Sequence, residues 1–369
     1  MPNAQLCKLC RINPAIQTGS HIFNFALIRG AINMNDVLKR DKEVSFKINS
    51  SSGVETYIGR AVNVEKIEEL FGRSMTSEEI SQNNNPFTVD HLLCTICERK
   101  FEVIENYFMK QVHNKLKADR ISLSPRNSNL SIASFPNVNE EFIRLYVYSL
   151  IWRAAEAGWT NFKIKETEKE LLRKILSENL DLDKTVMMAN VLPNSSLINS
   201  IPLIIHFLVT TSDYSENVVF IDTCTNPYFM VLNQFTFQLF FEPKLVRTNI
   251  HFLWGCYKFQ SFNELVNFGQ SLTIGVLSEE FRKHIFLKNI YKHSAANYEI
   301  DLIKKITKTH KFFFGQKPSK NTINDLKQEI NDPTIPIGIR NSRDRIINIV
   351  SQKFMQIAIS RSVGNNTKY

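Results

Sequence analysis

Residues 5–10 read QLCKLC, and no further cysteine follows until residues 91–101, HLLCTICERKF. Each stretch holds a Cys-x-x-Cys pair, Cys7 with Cys10 and Cys94 with Cys97. Two such knuckles are the ligand set of a structural four-thiolate zinc site, whose tetrahedron is closed and leaves no position open to water. The long insert departs from a compact zinc ribbon, but loop-closure entropy grows only slowly with length. The plainer alternative is four unrelated free thiols; the paired two-residue spacers favour a metal. Structural Zn²⁺ is the cofactor this spacing predicts.

Outward from the first knuckle comes Ser20-His21-Ile22, inside TGSHIFNFALIRG. Outward from the second, Phe101, Ile104, Phe108 and Val112 recur at helical spacing, which sets Cys94 and Cys97 at the N-terminus of a helix. Glu98, Glu102 and Glu105 share one face of that helix, being three and four apart. Between the knuckles, VSFKIN (44–49) and ETYIGRAVNV (55–64) alternate like strands and SQNNNP (81–86) is a loop. A histidine on a strand facing helix carboxylates suits metal-assisted phosphodiester hydrolysis. The imidazole takes a proton from water while a hard cation held by oxygens stabilises charge on the phosphate. Each part also has a structural reading: a lone histidine is most often a hydrogen-bonded scaffold residue, and ERKFEVIENY also suits a solvated helix face.

The remainder of the chain is organised differently. ISLSPRNSNLSIASFPNV (121–138) is rich in Ser, Asn and Pro and reads as a linker, placing a domain boundary between residues 1–120 and 139–369. NEEFIRLYVYSLIWRAAEAGW (139–159) has an Asn cap, early acidic residues and Gly158 as a stop, so it is a helix; KETEKELLRKILSEN (165–179) is another. From about 200 to 260, apolar and β-branched runs separated by Asn, Asp and Pro predict a mostly antiparallel sheet. SFNELVNFGQSL and SEEFRKHIFLKNIYKHS return to helical spacing. SRDRIINIVSQKFMQIAI (342–359) predicts an amphipathic helix near the end.

Composition bounds the classes. With 369 residues, 43% hydrophobic and 27 Phe, the chain can fill real cores. It has no run of membrane-spanning length and no secretory signal pattern, and six cysteines are too few for a disulfide framework. A reduced, cytoplasmic protein that engages no membrane is expected. Cys224 and Cys256 read as buried thiols. The net charge of +9 suits a polyanionic partner. Lys311, Lys317 and Lys320, in KFFFGQKPSK, are the candidate nucleic-acid contacts, with neighbouring Phe side chains stacking on bases; the same lysines also suit an ordinary solvated surface, and a Phe triplet suits a core.

CKLC, SHIFNFALIR and HLLCTICERKFEVIE together resemble the zinc-bearing branch of the HNH endonucleases, over the first third of the chain. The resemblance implies a ββα-metal core with His21 as general base, Glu98 as the helix metal ligand and Glu105 as a later helix carboxylate, served by Mg²⁺ or Mn²⁺ beside the structural zinc. Many relatives carry Asp before the catalytic His, where Ser20 stands here, and an Asn ahead of the second knuckle, where Val89, Asp90 and His91 stand. The expected fold class is therefore α+β: a zinc-stapled, HNH-like N-terminal domain, then a larger helical and antiparallel-sheet domain. The expected function is a metal-dependent nuclease of bacterial defence or restriction, acting on nucleic acid with DNA favoured over RNA. Residues 139–369 would regulate it through a partner protein or oligomer. The alternative is a non-catalytic, zinc-stabilised module that binds nucleic acid or protein.

Overall fold

The computed structural model describes residues 5–17, 19–32, 44–49, 53–58, 76, 85, 87–119, 130–159, 162–209, 219–221, 227–248, 251–252, 257–258, 265–267, 271–282, 303–304, 306–308, 310–312, 314–330 and 349–357. Among them the fold is α+β. Compactness divides the chain into one unit of residues 1–44 and 58–287 and another of 45–57 and 288–369. The knuckles and the large sheet therefore belong to the same unit.

The first unit opens with β1 (Ser20–His21) and α1 (Phe25–Ile32). A hairpin of β2 (Val44–Asn49) and β3 (Gly53–Ile58) follows, lying mostly within the second unit. β4 (Thr88–Val89) then pairs antiparallel with β1, Ser20 opposite Val89 and His21 opposite Thr88. α2 (Thr95–Phe108) runs through a π-helical turn, Met109–His113, into α3 (Asn114–Ala118). β5 (Leu130–Phe135) lies within the stretch read as linker, whose first nine residues fall outside the described ones. Its Ser-rich composition has a physical reason: β5 is an edge strand with one neighbour, and only Ala133 is buried on it.

α4 (Glu140–Glu156) begins at Asn139, whose side chain accepts from Phe142 N. It ends before Gly158, whose φ of +61° is open to glycine without steric cost. Every residue from Phe142 to Ala154 is buried, Arg144 and Arg153 included, so this helix is core on all sides. α5 (Glu166–Asn179) and α6 (Lys184–Asn199) pack against it.

The sheet comprises β5, β6 (Leu203–Leu208), β7 (Val219–Ile221), β8 (Tyr228–Leu232), β9 (Phe235–Leu239) and β12 (Leu272–Leu277), in the order β5-β12-β6-β9-β8-β7. β12 and β6 run parallel; the other neighbours are antiparallel. β6, β8 and β9 are buried along their whole length, which is why they read as unbroken apolar runs. Between β9 and β12 lie α7 (Pro243–Thr248) and a separate two-stranded ladder of β10 (His251–Phe252) and β11 (Tyr257–Lys258). The helical reading of SFNELVNFGQSL gives way at Asn267, which bridges to Leu203, and at Leu272, where β12 starts. Cys224, Cys256 and most of the helix expected from residue 278 lie outside the described residues. No described helix is long and apolar enough to cross a membrane.

The second unit has a core of Ile306, Leu326, Ile330, Ile349 and Phe354, formed between a helical stretch around residue 310, α8 (Lys320–Ile330) and the helical residues 349–357. The last of these falls within the amphipathic helix expected near the end of the chain.

Two expected outcomes follow from the parallel pairing of β6 with β12. Gly275 lies opposite His206, and a Cβ on Gly275 would stand 2.6 Å from His206 Cδ2 and 3.1 Å from Leu130 Cδ1. Gly275→Ala therefore destabilises the unit by about 1–3 kcal/mol, read as a lowered denaturation midpoint. His206 is fully buried, hydrogen-bonded with Thr236 Oγ1 at 3.0 Å, and burial holds its imidazole down to about 3. The unfolded chain thus binds a proton that the folded one refuses between roughly pH 6.5 and pH 3. Stability falls with acidification across that window, by up to about 1.4 kcal/mol per pH unit from this group. The part due to His206 is the difference between wild type and His206→Gln in denaturation at successive pH values.

Candidate metal centre and adjoining histidine

The sulfurs of Cys7, Cys10, Cys94 and Cys97 lie within 4.8 Å of one another, and all four are unoxidised. Local backbone bonds bring them there. Cys7 N donates to Asn13 O and Arg11 N to Cys7 O, closing the first knuckle through Arg11 at φ +57°. Lys8 N donates to Leu92 O and Ile16 N to Leu93 O, seating it on the residues before the second. Cys94 is the N-cap of α2 and Cys97 lies in its first turn. Cys7, Cys94 and Cys97 are buried, so a metal here would be shielded from water.

The electrostatics of the cluster follow from crowding. A hydrogen bond with Cys97 draws the Cys7 thiol down to about 4, while the same bond pushes Cys97 up and burial pushes Cys94 up. Four neighbouring sulfurs cannot all ionise without a compensating cation; a dication permits all four thiolates. The donor set fits zinc in a closed structural site, with Asn13 Nδ2 placed 3.9 Å from Cys94 Sγ as an outer hydrogen-bond donor.

The staple is tied into the rest of the first unit. Arg173 on α5 donates to Leu9 O at 2.7 Å, and its hydrogen bonds with Glu170 hold that carboxyl down to about 2. Arg11 also reaches Glu170, at 2.6 Å. Lys100 donates to Leu180 O at 2.9 Å. The Glu170 pairs are exposed enough that solvent screens most of their worth; the bond to the Leu9 carbonyl does the positioning.

His21 is exposed on β1, and its main-chain carbonyl accepts from Arg153 Nη1 at 3.0 Å. The same guanidinium donates through Nη2 to Glu105 Oε1 at 2.6 Å and lies 4.9 Å from the centre of the Phe101 ring. Arg153 is 1% exposed and Glu105 17%. The structure thus brings His21 and Glu105 to one buried cation. Glu98, one residue beyond Cys97, is half-buried, and its Oε1 is buried with no hydrogen-bond partner among the described residues. Ser20 Oγ is in the same condition. Lys311, Lys317 and Lys320 belong to the second unit, where all three are exposed.

Sequence reasoning passed over Arg153. The signal was available: an arginine inside the otherwise apolar SLIWRAA stretch of a helix must find acceptors or stay out of the core. No family model, no curated protein and no solved structure matches this chain.

The chain purified without chelator should carry one zinc, measured by metal analysis. Cys94→Ser should lose it and unfold the knuckle region, because metal binding at such a site is largely folding energy. Circular dichroism and limited proteolysis of the variant, with and without added zinc, read that outcome.

Proposed function

We propose that the first unit is a metal-dependent nuclease of the HNH type, in which the zinc is a clamp and the chemistry belongs to His21 and Glu98. The observation that carries this reading is the order of parts around the sulfurs. An antiparallel strand pair bearing an exposed histidine is followed by a helix that starts in the second knuckle and presents a carboxylate directly after Cys97. The orphaned Oε1 of Glu98 supports the assignment, since a buried carboxylate oxygen without a donor suits a cation. Ser20 Oγ offers a second uncommitted oxygen beside His21.

In this reading His21 removes the proton from an attacking water, and its strand is kept in place by Arg153. Mg²⁺ or Mn²⁺, held through Glu98, would stabilise negative charge on the phosphate and leaving group. Glu105 is a positioning residue, holding the guanidinium that holds the carbonyl of His21. The substrate is nucleic acid, with DNA favoured, and the remainder of the chain governs access or docking in a defence or restriction setting.

One observation favours the non-catalytic module instead. Glu105 is committed to Arg153, which leaves Glu98 and the exposed Glu102 as the helix carboxylates for a second metal, only Glu98 directly following the knuckle. Cleavage assays decide between the two. Purified chain with Mg²⁺ or Mn²⁺ is expected to cut plasmid or single strands and to stop with EDTA. His21→Ala should lower the rate by about 10²–10⁴ while keeping zinc content and circular dichroism unchanged. Unaltered cleavage in His21→Ala, or none in the wild type with its zinc in place, would leave the module reading standing.

A further inference from the structure

In the second unit the backbone is helical at residues 303–304, 306–308, 310–312 and 314. Ile306 and His310 are buried and Phe314 is half-buried, four residues apart each, so they mark the inward face. His310 packs tilted against Phe314 and edge-on against Phe354 and donates from Nδ1 to Gln316 O at 2.8 Å, which fixes the helix end against the core. Lys304, Lys308 and Lys311, four and three apart, occupy the opposite face, and all are exposed. Phe312 stands on that face too, one turn beyond Lys308, with 83% of its surface in solvent. Across the turn at Gly315, φ +70°, Lys317 and Lys320 are exposed as well. From Ile303 to Asn324 the sequence contains no Asp or Glu.

We infer that this face is a platform for single-stranded nucleic acid, with the lysines on phosphates and Phe312 stacked on a base. The lysines alone would suit any polyanion; the aromatic ring selects among them. Unpaired bases offer open π-faces to a protruding ring, whereas a duplex keeps its bases stacked on one another. An anionic membrane is disfavoured. Interfacial helices lay a continuous apolar face into lipid, and here the apolar face of Ile306, His310 and Phe314 is turned into the core. The inference rests on the nucleic-acid reading above and narrows its substrate to single strands.

Fluorescence anisotropy on the full chain tests it, with labelled oligo(dT), oligo(U), a blunt DNA duplex of the same length and phosphatidylserine vesicles as competitor. Phe312→Ala should weaken single-strand binding about 5- to 150-fold and leave duplex binding nearly unchanged. Phe312→Trp should restore it and show quenching of the new indole on binding. Replacing Lys304, Lys308 and Lys311 with Gln should flatten the salt dependence by about 0.7 per lost phosphate contact. Single-strand binding by Phe312→Ala equal to wild type overturns the inference, as does duplex binding tighter than single-strand binding. Vesicle binding that depends on Phe312 while oligonucleotide binding does not also overturns it. His21→Ala keeps the two proposals apart. Phe312-dependent binding without any cleavage removes the nuclease and leaves the platform, while cleavage with Phe312-independent binding does the reverse.

Discussion

A guanidinium has donors on every side and no acceptor, so burying one is expensive unless the surrounding chain brings oxygens to it. Arg153 meets that condition with the carbonyl of His21, the carboxylate of Glu105 and the Ser149 side chain and carbonyl of its own helix. These partners come from a strand, a second helix and α4 itself, so one charge fixes three elements relative to one another. Removing one partner of such a pair costs about 3–5 kcal/mol, because the other charge is left stranded. The candidate site is therefore anchored on α2 at two places: the cysteine cluster at its first turn and, further along, Glu105, which Arg153 of α4 holds.

The anchors differ in kind. The sulfur cluster becomes a stable tetrahedron only with a cation to offset four thiolates, so its strength depends on pH, redox state and metal supply. Arg153 needs neither thiol chemistry nor a metal, because its partners are a carboxylate, a hydroxyl and main-chain carbonyls. Its guanidinium is stacked beside Phe101, itself packed on Trp152. Arg144 does the same at the other end of α4, donating to Glu140, to Ile201 O and to Asn267 O, and so joins that helix to the turn before β6 and the segment before β12.

Local features were the legible ones. The Asn139 cap and Gly158 stop delimit α4, the knuckle spacing anticipates the sulfur cluster, and the apolar runs mark β6, β8 and β9, because each signal is carried by neighbouring residues. Features that depend on distant neighbours were hidden. β12 is a short LTIGVL run whose glycine makes sense only once His206 lies beside it. α6 lacks a clean polar face and carries Pro193, so its pattern resembles neither a surface helix nor a strand. β5 reads as loop because an edge strand need not be apolar. The pairing of His21 with Glu105 through Arg153 joins positions scattered along the chain, and no periodicity records it.

The π-helical turn at Met109–His113 has a mechanical consequence. Phe108, Val112 and Leu116 are buried at successive intervals of four, a spacing that drifts steadily around a regular α-helix of 3.6 residues per turn. The wider turn takes up that drift. At the turn the shaft meets the sheet, where Phe108, the residue just before it, and His113, its last residue, both lie against Phe235; the first turn of the same helix carries Cys97. One continuous helix thereby serves both the sulfur cluster and the packed aromatic layer, and the wider turn lets Val112 and Leu116 stay buried on the face that Phe108 begins.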